Sequence, residues 1–495
     1  MYTNILSSFR VLAYSLLFYT LTISTSLGSD LKESSSSELS GKRPNIIMFL
    51  ADDQSITDHT TYGNKKVPTF VTHEFSKESL IFNNAFTGQA ICAPSRSMLL
   101  TGMYPLKNGC YINHTAIRPG VKTLPSYLIE LGYDVLLVGK SHLKPSGQFP
   151  WTKWIQPVAK EGYPRPGISV KEVDKYIAES VRPFCIIVAS EYPHGPYFKE
   201  SKYGPKEVEL PPFENDTTWQ RNYFGRYYTS IKEKENEFEA ILELIDNHNL
   251  RDDTIVFYAD DHGMARGKFT VYKSGLNVAF MVRWPGKIKP GKTDALTSFA
   301  DFLPTVIDLA NNQDKAFAND FDGKSLLGIF SGISSNQHEY LYGVGENQGI
   351  QNRHIFPQRS IYDGRYNYIY NFNSNERLAK LSIKDPVMYY FLKFGADKHK
   401  GIPEEELYDT LNDPFEMNNL AGKSEHLSLK SKLKSLLFGW MERQKDYLST
   451  TKSIPYFKIW RHELDVQDPQ FNYSIEDDKV GILEGKKVSH HKYGI

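Results

Sequence analysis

The chain predicts an α/β fold, a mostly parallel sheet covered on both faces by helices. Three observations carry this reading: four apolar runs of strand length, helical stretches between them, and ionisable side chains gathered at the end of each run. Runs that are hydrophobic throughout, and rich in β-branched or aromatic residues, read as strands buried on both faces. Strands alternating with helices give a layered sheet, and such sheets bind ligands beyond the carboxyl ends of their strands.

In chain order, Arg10 precedes an apolar run from Val11 to Ile23, and Ser26-Leu27-Gly28 offers a small-residue cleavage site. This pattern predicts a signal peptide over 1–28. The run is short for a membrane span, so no stable span is expected, a single anchor helix being the alternative. No cysteine follows it, which argues against a lipoprotein anchor. A Ser-rich linker is expected over 29–42.

Asn45 to Ala51 then leads into Asp52-Asp53, and Tyr133 to Val138 into Gly139-Lys140-Ser141-His142. Phe184 to Ala189 leads into Glu191-Tyr192-Pro193-His194, and Thr254 to Ala259 into Asp260-Asp261-His262-Gly263. One such cluster is a solvated loop by default; four in succession are hard to read as loops alone. Helices are expected over Leu124 to Leu131 and Tyr227 to Asn247, the latter with Ile231, Phe238, Ile241, Leu242 and Ile245 near helical spacing. After about residue 335 the texture changes. Ser360 to Tyr370 reads as two strands around Asp363-Gly364, a hairpin turn pair. Leu429, Leu433, Leu436, Leu437 and Trp440 predict a helix packed on that sheet. The expected division is 43–335, 336–452, and a tail over 453–495.

The 495 residues suggest two units rather than one core. Formal net charge is zero, so no global field draws a polyanion; nucleic acid is not an expected partner, and anion binding must be local. Three cysteines are too few for a disulfide framework. Cys185 reads as a core residue, and whether Cys110 pairs with it is open. Of the 31 Tyr and 29 Phe, most belong to the core, while some could stack on sugar rings.

Cys92-Ala93-Pro94-Ser95-Arg96-Ser97-Met98-Leu99-Leu100-Thr101-Gly102 is the densest motif. Pro94 fits the first turn of a helix and Gly102 the position just past its end. Cys92 and Arg96, four apart, can share one helical face. A helix N-terminus also suits an anion. A buried cysteine on a capped helix would be the ordinary interpretation of the cysteine alone. The pattern C-x-P-S-R-x-x-x-L-T-G, however, resembles the hallmark of the type I, formylglycine-dependent sulfatases. Glu406-Leu407-Tyr408-Asp409, continuing to Asp413-Pro414, Glu416 and Asn419-Leu420, resembles that family's C-terminal motif, with Thr410 where the pattern has leucine.

The resemblance implies an alkaline-phosphatase-like sandwich, with a large mixed, mostly parallel sheet and a smaller C-terminal antiparallel sheet carrying a helix. It implies that Cys92 is oxidised to 3-oxoalanine (formylglycine), whose hydrate attacks sulfur, and that a maturating enzyme makes it. It places a divalent cation, calcium with magnesium as the alternative, on Asp52, Asp53, Cys92, Asp261 and His262. Histidine at 262, where many relatives have asparagine, is a less typical calcium ligand. Asp261 is preferred to Asp260 because it directly precedes His262-Gly263. The resemblance makes Arg96, Lys140 and Lys268 the charges that offset the sulfate, His142 the base that collapses the intermediate, and His194, with Lys268, a sulfate contact that assists the departing alcohol. Taken singly, each lysine is a surface residue and each histidine a loop residue by default.

Gly-Lys-Ser-His-Leu-Lys-Pro and the hairpin at Arg359 are similar to the branch of heparan N-sulfatases and algal-polysaccharide sulfatases. The expected substrate is therefore a sulfated polysaccharide or its oligosaccharides, such as ulvan or a glycosaminoglycan. The enzyme is expected to be exported, periplasmic in a bacterium and otherwise secreted or lysosomal. His114, Arg118, His354, Gln358 and Arg359 are candidates for substrate contact, solvated loops being the equal alternative. The competing functions are a phosphate or phosphonate ester hydrolase of the same fold and a silent sulfated-glycan-binding protein. Asn113, Asn215 and Asn472 open glycosylation sequons.

Overall fold

The computed structural model describes residues 38–264, 268–311, 321–346, 357–372 and 403–449. The expected signal peptide, the first part of the linker, His354, Asn472 and the C-terminal tail lie outside the described residues. Within the expected linker, Leu39 is buried in the main core, and the Gly41 N–H donates to the Asp308 carbonyl at 2.9 Å.

The main sheet has nine described strands: β1 (Asn45–Ala51), β2 (Leu80–Phe86), β3 (Asp134–Gly139), β4 (Lys153–Ile155), β5 (Phe184–Ala189), β6 (Thr254–Asp260), β7 (Asn277–Arg283), β8 (Gly291–Thr293) and β9 (Thr297–Ser298). Their order is β4-β3-β5-β1-β6-β7-β2-β8, with β9 beside β2. The centre is parallel, and β7 runs antiparallel between β6 and β2. All four predicted strands stand side by side as β3-β5-β1-β6. Leu50 faces Ala189 on one side and Ala259 on the other, and Gly139 faces Ala189. That register brings the four polar clusters out at one edge.

Side chains along β1 alternate between two cores. Ile46, Met48 and Leu50 join a cluster with Met98, Leu99, Leu124, Leu128, Leu303 and Val306. These come from helices α2 (Cys92–Thr101), α3 (Leu124–Glu130) and α6 (Phe302–Ala310). Ile47, Phe49 and Ala51 face α1 (Phe70–Lys77), α4 (Val170–Glu179) and the long α5 (Thr218–Asn247), through Phe75, Val173, Phe238, Ile241 and Ile245. Both faces of the sheet are thus covered, as the uninterrupted apolar runs require.

Helix α5 begins nine residues before its predicted start at Tyr227. The Thr217 hydroxyl accepts from the Gln220 N–H and caps it, so the threonine of the Asn215 sequon serves as a helix start signal. The extension carries Trp219 and Tyr223, which the core periodicity does not include.

A second sheet, antiparallel, orders β10 (Leu341–Gly345), β11 (Gln358–Tyr362), β12 (Tyr366–Asn371) and β13 (Glu405–Asp409). The Asp363-Gly364 turn joins β11 to β12, and the Asp363 side chain accepts from the Arg365 and Tyr366 N–H groups. Helix α7 (Leu427–Arg443) buries Leu433, Leu437, Trp440 and Met441. Thr410, at the departure from the family pattern, donates to the Arg365 carbonyl and so belongs to packing. All three cysteines are free, so Cys110 and Cys185 are not paired.

Arg359 is fully buried: it donates to Asp446 at 2.6 and 3.1 Å and to Glu346 at 2.8 Å. Gln358 donates to Asn371 at 2.5 Å. Neither is a solvated loop residue or faces a substrate; alternation along β11 turns both into packed surroundings. Arg118 donates to the Leu106 and Lys107 carbonyls, a loop-closing role.

Glu416, from the C-terminal motif, ties the two sheets together. Its carboxyl accepts from the Lys273 N–H and from the Asn367 amide, both at 2.6 Å. Burial pushes it up to about 7, against the pull of those hydrogen bonds. A carboxyl whose folded value lies above its unfolded value stabilises below the unfolded value and loses that contribution as pH rises through the folded one. Stability should therefore fall between pH 4.5 and about 7, by up to about 3 kcal/mol from this group. Glu416→Gln should flatten that part of the curve in urea melts taken across pH; an unchanged slope would remove Glu416 as its source.

Candidate active site

Four strand ends and one helix N-terminus build the site. Cys92 is the first residue of α2, Pro94 lies in the first turn, and Gly102 closes the helix with φ +68° and its N–H on the Met98 carbonyl. The Cys92 sulfur lies 3.7 Å from Asp52 Oδ1, 3.4 Å from His262 Nε2 and 4.0 Å from Lys268 Nζ. One turn along, on the same face, Arg96 Nε donates to Asp261 Oδ2 at 3.1 Å. Its Nη2 stands 3.0 Å from Asp261 Oδ2 and 3.5 Å from Asp52 Oδ1 without hydrogen-bond alignment, leaving N–H capacity for an anion.

From β1, Asp52 accepts from Lys140 Nζ, and Asp53 accepts from Lys268 Nζ at 2.9 and 2.7 Å. From β6, Asp261 Oδ1 accepts from the Asp53 and His262 N–H groups at 3.0 and 2.9 Å. His262 Nε2 and His194 Nε2 lie 3.2 and 3.5 Å from the Asp53 carboxylate. Every catalytic and metal residue proposed from the sequence is therefore in one cluster. Asp260 is not: it turns to the opposite face, where it bonds His59 at 2.8 Å and Tyr258 at 3.1 Å. The alternation of a strand decides between the two aspartates.

Lys140 and His142 reach the same site around a bend in the chain. Gly139 has φ +86° and His142 φ +54°, so the chain turns sharply here. At Gly139 a Cβ would sit 2.3 Å from the Ala189 carbonyl oxygen, which only glycine avoids. His142 Nε2 bonds His114 Nδ1 at 2.6 Å, and its Nδ1 is buried without a hydrogen-bond partner. Among the described candidate substrate contacts, His114 alone bonds a residue of this site. Asn113 joins it, accepting from the Ala93 N–H next to Cys92.

Arg165 went unrecognised in the sequence. It donates to His194 Nδ1 and the Gly195 carbonyl, and pairs with Glu191 at 3.2 Å. It sits in Tyr163-Pro164-Arg165-Pro166-Gly167, a segment with no periodicity, and the contact is long-range. Composition offers no signal for it.

The charges act on one another strongly. Burial raises the Cys92 thiol, but Lys140, Lys268 and His262 outweigh it and hold the group well below its ordinary value. Burial also raises Asp52, and Lys140 and Arg96 more than offset it, holding the carboxyl below the usual range. For Asp261, burial dominates: with repulsion from Asp52, and against the help of His262, it is lifted to about 7. Burial opposes the His262 imidazolium, yet Asp261, Cys92 and Asp53 lift it to about 9. Burial pushes His142 down, whereas at His194 the charge of Asp53 overcomes burial and pushes it up.

Two groups of potential ligands, Asp52-Asp53-Cys92-His194 and Cys92-Asp261-His262, each gather their ligand atoms within 4.8 Å. Three buried carboxylates converge here, and burial lifts one of them, Asp261, to about 7. Their oxygens are the donor set a hard divalent cation takes. The residues present fit such an ion.

The family model for sulfatases matches residues 44–312. An ulvan-active sulfatase from Formosa agariphila is 44% identical over 82% of this chain and 82% of its own length. Human N-sulphoglucosamine sulphohydrolase is 24% identical, covering 81% of this chain and 90% of its own. Among solved structures, a 2-O glycosaminoglycan sulfatase superimposes with a TM-score of 0.67 at 23% identity, over 83% of this chain and 94% of the other. The chain belongs to the sulfatase family and is a sulfuric ester hydrolase. Its sheets have the alkaline-phosphatase-like arrangement of that family.

One consequence concerns protein made without the maturation chemistry. The cations around Cys92 hold its thiol well below the ordinary value, whereas burial pushes Cys110 up to about 11 and Cys185 higher still. Since the thiolate is the nucleophile, iodoacetamide at pH 6 to 7 should label Cys92 alone, as read by peptide mass spectrometry. Equal labelling of the three would refute the site electrostatics.

Proposed function

We propose that this chain is an exported enzyme that removes sulfate from an acidic polysaccharide of the ulvan type, or from its oligosaccharides. The convergence of Cys92 with three carboxylates and three permanent cations at one sheet edge is the observation that carries the reading. The name of the Formosa relative supports the substrate class. Export rests on the apolar N-terminal run; no described helix is long and apolar enough to cross a membrane. The catalytic unit spans 43–335, and 336–452 forms the smaller subdomain.

Asp52, Asp53, Asp261 and His262, with residue 92, would hold the cation, calcium being the best match to carboxylate oxygens. When present, the formylglycine hydrate supplies the attacking hydroxyl, and the cation polarises it and the ester. A maturating enzyme must install that group, since a thiol has no second hydroxyl through which to release sulfate.

The remaining steps belong to this chain's side chains. Three cations, Arg96, Lys140 and Lys268, balance the three carboxylates, so a divalent ion leaves the pocket net positive for an anionic ester. As charge builds on the sulfate oxygens, those side chains stabilise it from fixed positions. His194, pushed toward its protonated form, suits the role of acid for the departing sugar oxygen, with Lys268 beside it. His142, pushed toward its neutral form with a bare Nδ1, suits the role of base. Two histidines split in this way are the arrangement that acid–base chemistry at one pH requires.

The proposal is tested at the residue-92 group, the cation site and Lys140. Natively matured protein should yield a residue-92 peptide that has lost its thiol and gained an aldehyde. It should cleave aryl sulfates well, matched aryl phosphates poorly, and release sulfate from ulvan oligosaccharides. A free thiol at full sulfatase rate, or preference for the phosphate, would overturn it. Separately, chelation should lower the melting temperature and calcium should restore it. Asp261→Asn should abolish that calcium response, whereas Asp260→Asn should retain it, because Asp260 faces His59. Lys140→Ala should lower kcat about 100-fold or more, the scale of losing one fixed transition-state charge.

A further inference from the structure

Helix α5 carries Trp219, in its first turn, outside the core that Phe224 and the later turns enter. Trp219 there is 68% exposed, and its indole stacks on Tyr223 at 5.6 Å between centroids and 13° between planes. Tyr223 contacts Tyr197 at 5.3 Å, and Tyr197 contacts Tyr227 at 5.4 Å. Tyr227 closes the series inside the protein, its hydroxyl 3.0 Å from Asp58 Oδ2 and 3.5 Å from the carbonyl of Asp53. Tyr197 is three residues past His194, in Pro193-His194-Gly195-Pro196-Tyr197. A continuous file of aromatic rings therefore leads from the edge of the active site to an open indole on the surface.

The helix spacing makes this a single face: 219, 223, 226 and 227 recur at i, i+4, i+7 and i+8. Arg226 holds its guanidinium 5.8 Å from the Tyr223 ring. Among the described residues no carboxylate pairs with it, although its neighbour Arg221 is paired with Asp216. A flat, exposed indole and a half-buried guanidinium thus share one helix face, with the Tyr223 ring between them. The C–H face of a sugar ring matches the indole, and a carboxylate or second sulfate on that sugar matches the guanidinium.

We propose that Trp219, Tyr223 and Arg226 form an outer subsite that takes a pyranose ring of the acidic glycan, at least one sugar removed from the ester at Cys92. The subsite rests on the glycan reading above and extends it. It gives the enzyme a grip on chain length that the sulfate pocket alone does not supply.

The test uses the full matured enzyme with ulvan oligosaccharides and with 4-nitrophenyl sulfate, together with Cys92→Ala protein for binding without turnover. Trp219→Ala should raise KM for the oligosaccharide about tenfold more than for the aryl sulfate, with kcat for the oligosaccharide little changed. Trp219→Phe should recover part of the loss, and Arg226→Gln should raise KM more for oligosaccharides that carry a second anionic group. In calorimetry, Cys92→Ala should bind the oligosaccharide about tenfold more tightly than the Cys92→Ala, Trp219→Ala double variant. Equal effects on both substrates, or equal binding by the single and double variants, would overturn the subsite while leaving the glycan reading intact. If the wild type cleaves the aryl sulfate but neither cleaves nor binds any oligosaccharide offered, the glycan reading falls and the subsite falls with it.

Discussion

The structure depends on keeping six charges buried or half-buried around one sulfur atom. Asp52, Asp53 and Asp261 face Arg96, Lys140 and Lys268 within hydrogen-bonding or ion-pair range. Removing such groups from water costs several kcal/mol each, and only close, directed pairing offsets it. The cluster is therefore a poor source of stability. It is tolerated because the surrounding sheet is rigid and apolar on both faces. Parallel strands in matched register supply the rigidity, and their common edge supplies the place.

Each support of the cluster has a local cause. Residue 92 opens a helix, so the free N–H end of that helix adds favourable potential for an anion. The doublet Asp260-Asp261 lies at the end of β6, where successive side chains take opposite faces. One aspartate enters the site and the other is spent on His59 and Tyr258 beneath it. That lower contact continues to a fully buried Lys234, which donates to Tyr258 at 2.9 Å. The site thus stands on a second, purely internal polar layer, and strand alternation joins the two layers without a loop.

Most of the reacting core could be read from the sequence because its signals are local. A buried strand declares itself by composition, and its carboxyl end by the ionisable cluster that follows; the clusters holding Asp52, Lys140, His194 and Asp261 were placed this way, and the family resemblance chose the residues within them. Arg165 could not be, because it meets His194 across 29 residues from a segment without periodicity. Arg359 misled for the opposite reason. An arginine on a hairpin looks available, yet its partner Asp446 arrives from 87 residues away and buries it. The start of α5 was missed because the core pattern begins only where the helix meets the sheet. The turns before it are set by a cap at Thr217 and by Phe224, which packs in a separate cluster from the sheet face.

The same division between local and long-range determinants bears on specificity. The pocket around Cys92 is built from groups that recognise negative charge and little else: guanidinium, ammonium, imidazole and a candidate cation site. Any sulfate ester that enters meets the same partners, so discrimination among glycans must come from contacts beyond it. With a net charge of zero, the chain has no overall field to gather acidic polymers. Recognition therefore falls to surfaces near the rim, where apolar and cationic groups stand exposed together. The uncovered start of α5 is such a surface, and it joins the catalytic rim through Tyr197, so the helix that braces the sheet with its C-terminal turns can present the substrate with its first ones.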